Sequence, residues 1–233
     1  MCGRFVVYSA GEQLRDLLGL NEAPDLSPRY NVAVGTSIPA ALQSPQGHRE
    51  LRPLHWGLVP PWAKDRKFGH RCFNARSESA HEKPAFRKAF VQRRCLIPAN
   101  GFFEWLKRGK AREPWYFHMA HERPFAFAGL WERFEERGAD GATSTLHSCT
   151  ILTVPPNELV EPFHDRMPVI LDPEHFDAWL DPQHHDVERL RAMLVPCSAE
   201  HMAAHAVSPE VNKVRSKGPG LIAPYTEAQG SLF

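Results

Sequence analysis

Several patterns are missing from this 233-residue sequence, and each absence removes a class of protein. No apolar run approaches the roughly 18–20 residues of a membrane-spanning helix. Near the start, Phe5-Val6-Val7-Tyr8 is soon followed by Gly11 and Glu12, which predicts no secretory leader. The five cysteines (Cys2, Cys72, Cys95, Cys149, Cys197) are odd in number, widely spaced and include no Cys-x-x-Cys pair. That usage fits reduced thiols in the cytoplasm rather than a disulfide framework or a zinc ribbon. There is no Gly-rich phosphate loop, no Gly-x-Ser-x-Gly elbow and no His-Glu-x-x-His run. Nor is there an internal repeat or a dividing linker, so a single domain over 1–233 with a sizeable core is expected.

What is present is ordinary in bulk and uneven in detail. Hydrophobic residues make up 42%, charged residues 24%, and the net charge is +1, so no overall basic balance announces a nucleic-acid partner. Yet from Lys64 to Arg94 ten Lys/Arg face three acids, a local +7, and from Asn157 to Glu188 nine acids face Arg166 alone, a local −8. This asymmetry allows either a basic patch on a near-neutral protein or two differently charged solvated faces.

Read in order, the chain alternates short strand patterns with a few helices. Arg4 to Tyr8 reads as a strand, and Ser9 to Glu12 has capping-box spacing before a helix over about 10–19 carrying Leu14, Leu17 and Leu18. Strands are expected near 37–43, 51–59, 114–119, 124–131 and 148–154, with a charged loop over 63–72 and a polar loop over 136–147. Ser79 to Glu82 repeats the capping-box spacing before Phe86, Ala89 and Phe90, and Asn100-Gly101 marks a bend between two strands over 95–107. Asp172-Pro173 starts one helix, residues 185–195 form another, and the segment from Pro196 reads as irregular, with a basic loop over 212–218. The pattern predicts an α+β fold, an antiparallel sheet or open barrel with a few peripheral helices.

Four residues stand out chemically. If Met1 is removed, Cys2 carries an α-amine and a thiol on one residue, with ordinary pKa values of about 7.7–8.0 and about 8.5, both partly nucleophilic near neutrality. Its amine condenses with an aldehyde to an imine, which the thiol closes to a thiazolidine. The plainer reading is a small residue near a chain end. Asn74 lies between Phe73 and Ala75, Glu104 shares a strand face with Phe102 and Leu106, and His164 follows Phe163. A carboxyl among such neighbours has a raised pKa suited to a general acid; an ion-paired strand Glu and a surface His are the alternatives. Cys197, His201 and His205 have spacing for one helix face, but a closed set of zinc ligands is not evident, and no metal is expected.

At these residues the sequence resembles the SRAP family, the SOS response-associated peptidases or abasic-site processing proteins. The blocks are Met1-Cys2-Gly3-Arg4-Phe5, Arg29-Tyr30-Asn31-Val32-Ala33, Trp56-Gly57-Leu58-Val59-Pro60, Asn74-Ala75-Arg76-Ser77-Glu78, Gly101-Phe102-Phe103-Glu104-Trp105 and His164-Asp165-Arg166-Met167-Pro168. They run in family order over about residues 2–225, with a flexible C-terminal tail expected beyond. The resemblance implies a single SRAP-type α+β domain with a positive groove for single-stranded DNA. It implies that processed Cys2 forms a covalent thiazolidine with the ring-opened aldehyde of an abasic site during the DNA-damage (SOS) response. Catalytic roles then fall to Cys2, Asn74, Glu104 and His164. Arg4, Arg76 and Arg166 match phosphate-holding arginines, while Trp62 and Lys213 are looser DNA-contact matches. Family members carry a basic residue just before the helix Phe after Asn-Ala-Arg; here Pro84-Ala85 precede Phe86. The resemblance implies no cofactor, no membrane and a cytoplasmic monomer acting at damaged nucleoid DNA.

Two other readings stay open. In one, Cys2 is a thiol nucleophile of a hydrolase or protease that removes Met1, with His164 and Glu104 assisting. In the other, the chain binds single-stranded DNA reversibly, indifferent to Cys2 and to the lesion.

Overall fold

The computed structural model describes residues 2–109, 111–137 and 142–226. Strands dominate. In chain order they are β1 (Arg4–Val7), β2 (Arg29–Ala33), β3 (Ser37–Gln43), β4 (Arg49–Trp56), β5 (Asn74–Arg76), β6 (Arg94–Ala99), β7 (Gly101–Arg108), β8 (Ala111–Met119), β9 (Phe125–Arg137), β10 (Thr143–Val154), β11 (Met167–Pro168), β12 (Ile170–Leu171) and β13 (Met202–Ala206). The helices are short: α1 (Gly11–Leu18), α2 (Ser77–Ala80), α3 (Arg87–Gln92), α4 (Phe176–Leu180) and α5 (Val187–Ala192).

The expected barrel is present and it closes. Strands β10, β4, β3, β6 and β9 pair in succession, and β9 pairs back to β10 through the register Cys149↔Trp131. Closure removes the sheet edges that would otherwise invite misassociation. Two of these contacts, β10 with β4 and β10 with β5, are parallel, and the other pairings are antiparallel. A second sheet, ordered β13-β8-β7-β1-β2, lies against the barrel.

Side-chain alternation explains why that second sheet is buried on both faces. Phe5, Phe102 and Phe117 point into the main core, shared with the barrel's Trp56 and Phe127. Their neighbours Val6, Phe103 and Tyr116 point the other way and are covered by Val207, Val211 and Leu221. Burying each such aromatic contributes roughly 1.5–3 kcal/mol, so this alternation ties the chain's first strand to its last described segment.

The Asn100-Gly101 step differs from the expected hairpin bend. β6 and β7 do not pair with each other but belong to different sheets, and Asn100 forms the corner between them. Its Oδ1 accepts from Tyr8 and Ser9 backbone N–H groups at 2.8 and 3.1 Å, and its Nδ2 donates to Ser9 Oγ at 2.7 Å. Gly101 is required by close packing, since a Cβ there would sit 2.3 Å from the Tyr116 ring and 2.5 Å from the Phe117 carbonyl.

Ser9 is thus engaged at the corner and does not cap α1, which begins after Ala10; Gln13 Oε1 alone accepts the Ala10 N–H, at 3.2 Å. Ser79 likewise lies inside α2, where its carbonyl accepts from Glu82 and Lys83, and α3 starts only at Arg87. The segment from Pro196 is not wholly irregular, because Met202–Ala206 adds β13 alongside β8. Strands β9 and β10 extend through most of the expected 136–147 loop; residues 138–141, Met1 and the tail beyond 226 lie outside the described residues. Residues 66–71 form a 3₁₀ turn capped by Asp65 rather than a plain loop. Asp172 caps its helical turn as the sequence predicted, accepting from Glu174 N–H at 3.0 Å.

Candidate active site

Cys2 is fully buried at the start of β1, within the main core, and its thiol lies 3.6 Å from the Arg4 carbonyl. Burial pushes that thiol well above the ordinary cysteine range, and the Glu104 charge adds to the effect. Desolvation thus favours the S–H form of Cys2 over the partly ionised thiol that its ordinary pKa gives. Asn74, on β5, donates from Nδ2 to the Cys2 carbonyl at 2.8 Å. β5 is held by parallel pairing to β10, Ile151↔Asn74, which fixes that amide from the barrel side. The Asn74 Oδ1 is buried with no hydrogen-bond partner among the described residues.

Glu104 sits on β7, only 4% exposed. Burial pushes its carboxyl up to about 7, and the nearby Asp165 charge acts in the same direction. His164 belongs to the segment after the 158–163 turn. Its Nδ1 lies 3.0 Å from the Arg166 N–H and 2.7 Å from Asp165 Oδ1. The two neighbours compete for one ring nitrogen: the backbone N–H wants a lone pair there and the carboxylate wants a proton. Burial, with the Lys107 and Arg166 charges, holds the imidazole below its usual pKa, partly offset by Asp165. The ring is therefore held toward its neutral form, in which one nitrogen donates and the other accepts. Glu104 and His164 line one cleft of about 400 Å³ with Gly3, Arg4, Trp105, Lys107, Arg112 and Phe163.

Of the remaining predicted contacts, Arg4 belongs to this cleft and Arg76, Arg166, Trp62 and Lys213 lie outside its lining. Arg4 lines it, anchored by Nη1 to Asn31 Oδ1 at 2.6 Å and to the Val211 carbonyl at 2.9 Å. Lys213 lies on the loop that Asn31 also holds, through Nδ2 to the Lys213 carbonyl at 3.1 Å, and its ammonium pairs with Glu210 at 2.7 Å. Arg76 is exposed at the end of β5. Arg166 is only 8% exposed and makes a bidentate pair with Glu78 at 2.6 and 2.8 Å, with a further bond to the Thr153 carbonyl. Trp62 is 57% exposed and forms a separate cleft with Phe68, Arg71, Lys64 and Lys67, its ring edge-on to Phe68 at 5.0 Å. Among the described residues no group of three His, Cys, Asp or Glu is arranged to hold a metal ion. His205 lies on β13 and not on a helix with Cys197 and His201.

The model of the SOS response associated peptidase (SRAP) family matches residues 1–214. This chain belongs to the SRAP family. Among its relatives, the abasic site processing protein YoqW of Bacillus subtilis is 40% identical over 226 residues, covering 95% of this chain and 99% of that protein. Abasic site processing protein YedK of Escherichia coli is 30% identical, covering 96% and 100% respectively. Abasic site processing protein HMCES of Gallus gallus is 30% identical over 96% of this chain and 78% of its own length. A crystal structure of a Bordetella bronchiseptica protein superposes with a TM-score of 0.75 at 27% identity, covering 89% of this chain and all of that one. One from Bacteroides thetaiotaomicron shares the fold, with a TM-score of 0.84 at 24% identity over 97% of this chain and all of that one.

Around the cleft of this SRAP chain, the sequence blocks named Cys2, Asn74, Glu104, His164 and Arg4, and did not name Lys107 and Arg112, which also line it. The signal for these two was available: Gly109 is a turn residue, and pairing across it puts Lys107 directly opposite Arg112. No helix of the described residues is long and apolar enough to cross a membrane.

Proposed function

We propose that this protein captures abasic sites in single-stranded DNA as a covalent thiazolidine on Cys2. The carrying observation is the contact between Cys2 and Asn74 beside a cleft lined by Glu104 and His164. Removal of Met1 exposes the Cys2 α-amine. Asn74 Oδ1, buried and unpartnered among the described residues, accepts a hydrogen bond from that amine and orients it toward the sugar. Glu104 and neutral His164 move the proton that opens the cyclic hemiacetal to its aldehyde. The amine adds to the aldehyde carbon, and loss of one water gives the imine.

Because the thiol is protonated, ring closure requires its proton to leave as sulfur attacks. With its carboxyl near 7, Glu104 is poised to accept that proton, which is returned to the imine nitrogen as the S–C bond forms. The product has no imine, so the β-elimination that would cut the strand is blocked. Arg4, Arg76, Lys213 and the Trp62 cleft supply backbone and stacking contacts, giving affinity that is salt-sensitive and largely indifferent to sequence. Arg166 acts by position: its pair with Glu78 ties the His164 segment to α2 and β5, which carries Asn74.

Self-removal of Met1 belongs to the same proposal, since Glu104 and His164 line a cleft with Gly3, the neighbour of Cys2. Glu104→Gln and His164→Ala proteins, made with methionine aminopeptidase inhibited, should keep Met1 when weighed intact; full processing of both refutes self-cleavage. For capture itself, abasic single-stranded oligonucleotide should give a heat-stable adduct with the wild type and none with Cys2→Ala. A mature wild type without adduct refutes the covalent function, and binding that is merely salt-reversible favours a passive binder.

A further inference from the structure

The active-site cleft opens where the second sheet is incomplete. β1 begins at Arg4 and pairs with β7 only through Phe5↔Phe102 and Val6↔Gly101. Beyond Glu104, β7 continues to Arg108 with β8 on one side and, among the described residues, no strand on the other. At the mouth of this gap Lys107 and Arg112 lie directly opposite each other on β7 and β8, and both are exposed. Like charges facing across a strand pair destabilise it. The adjacent acid does not relieve them, because Glu113 pairs with Arg108 at 3.2 Å, and neither Lys107 nor Arg112 has an ion-pair partner among the described residues. Both residues line the cleft that also holds Arg4, Glu104 and His164.

A pair of cations kept in this register, beside a free strand edge, forms a site for an anion. We propose that Lys107 and Arg112 form a phosphate subsite that takes the phosphodiester on one side of the reacting sugar. Arg112 offers a planar guanidinium for two phosphate oxygens and Lys107 a mobile point charge, so together they suit one group carrying a single negative charge. The subsite orients the strand at the cleft mouth so that C1′ of the sugar faces Cys2. The inference rests on the reading of the cleft as an abasic-DNA site. It adds two residues and one phosphate to it.

The test separates the two. A single-stranded oligonucleotide carrying a tetrahydrofuran abasic analogue has no aldehyde, so its binding reports the subsite without any covalent step. Wild type, Lys107→Gln/Arg112→Gln and a control of equal charge loss on α5, Arg189→Gln/Arg191→Gln, are titrated by fluorescence anisotropy over a range of salt. The cleft variant should bind about tenfold more weakly, with a salt slope lower by about 1. Replacing each flanking phosphodiester in turn by neutral methylphosphonate should abolish the difference between wild type and variant at one linkage. A loss no larger than that of the α5 control, or one that persists with both linkages neutralised, overturns the subsite. Failure of the natural abasic oligonucleotide to form an adduct with mature wild type is a separate outcome. It refutes the covalent function whatever the anisotropy shows.

Discussion

Replacing Glu104 by Gln isolates the electrostatic state of the active site. The carboxyl is moved by burial from its ordinary 4.5 to about 7. At about 1.4 kcal/mol per tenfold change in ionisation, that displacement is about 3 kcal/mol. The folded state holds the proton more tightly than the unfolded chain, so the native state binds more protons and stability falls as pH rises. The stabilising contribution is complete below the ordinary value and is lost as pH climbs through about 7. Between pH 5 and pH 8 the wild type should lose about 2–3 kcal/mol from this group alone. Glutamine has nearly the same shape and does not ionise. Urea unfolding of both proteins across that range should give a variant close to wild type at the acid end and about 2–3 kcal/mol more stable at the alkaline end. Other titrating groups are common to both and cancel in the difference. A stability difference that does not change with pH would refute the raised carboxyl and with it the proton-transfer role given to Glu104.

Three further substitutions test the packing around the site. Glu78→Gln should slow adduct formation at saturating DNA, since it loosens the buried Arg166 that holds the His164 segment; tighter DNA binding instead would mean that the released guanidinium is a phosphate ligand. Gly101→Ala, which drives a methyl into the Tyr116 ring, should cost about 1–3 kcal/mol in a urea titration, and a neutral result would contradict the tight contact between β7 and β8. Arg94 is buried and donates to the carbonyls of Phe90, Val91, Trp179, Asp181 and His184. Arg94→Met should therefore destabilise by about 3 kcal/mol, read as a fall in the urea midpoint without loss of Cys2 chemistry in the surviving folded fraction.

The parts of the fold legible in the sequence are those set by local pattern. β1 and α1, the Asp172 cap and the long apolar strands follow from side-chain alternation, helical spacing and capping chemistry, and each lies where those rules put it. The failures involve partners distant in sequence. Asn100-Gly101 has hairpin chemistry, but Asn100 is recruited by Tyr8 and Ser9 into a corner between sheets. That recruitment also removes Ser9 from the α1 cap. β13 has a weak strand pattern, Met202-Ala-Ala-His-Ala206, and forms because β8 offers an edge to pair with. At the site, the resemblance in sequence blocks pointed to Cys2, Asn74, Glu104 and His164, while burial shifts the titration of Cys2, Glu104 and His164. The raised carboxyl of Glu104 was legible from its apolar strand face, whereas the burial of the Cys2 thiol is a property of the packed core and has no local signature.

The most direct measurement is the intact mass of the purified protein, alone and after incubation with abasic single-stranded oligonucleotide. The account predicts a protein that has lost Met1, and then a single new species heavier by the oligonucleotide less one water, absent in Cys2→Ala. A protein with Cys2 at its terminus that keeps its own mass in the presence of the abasic strand would contradict it.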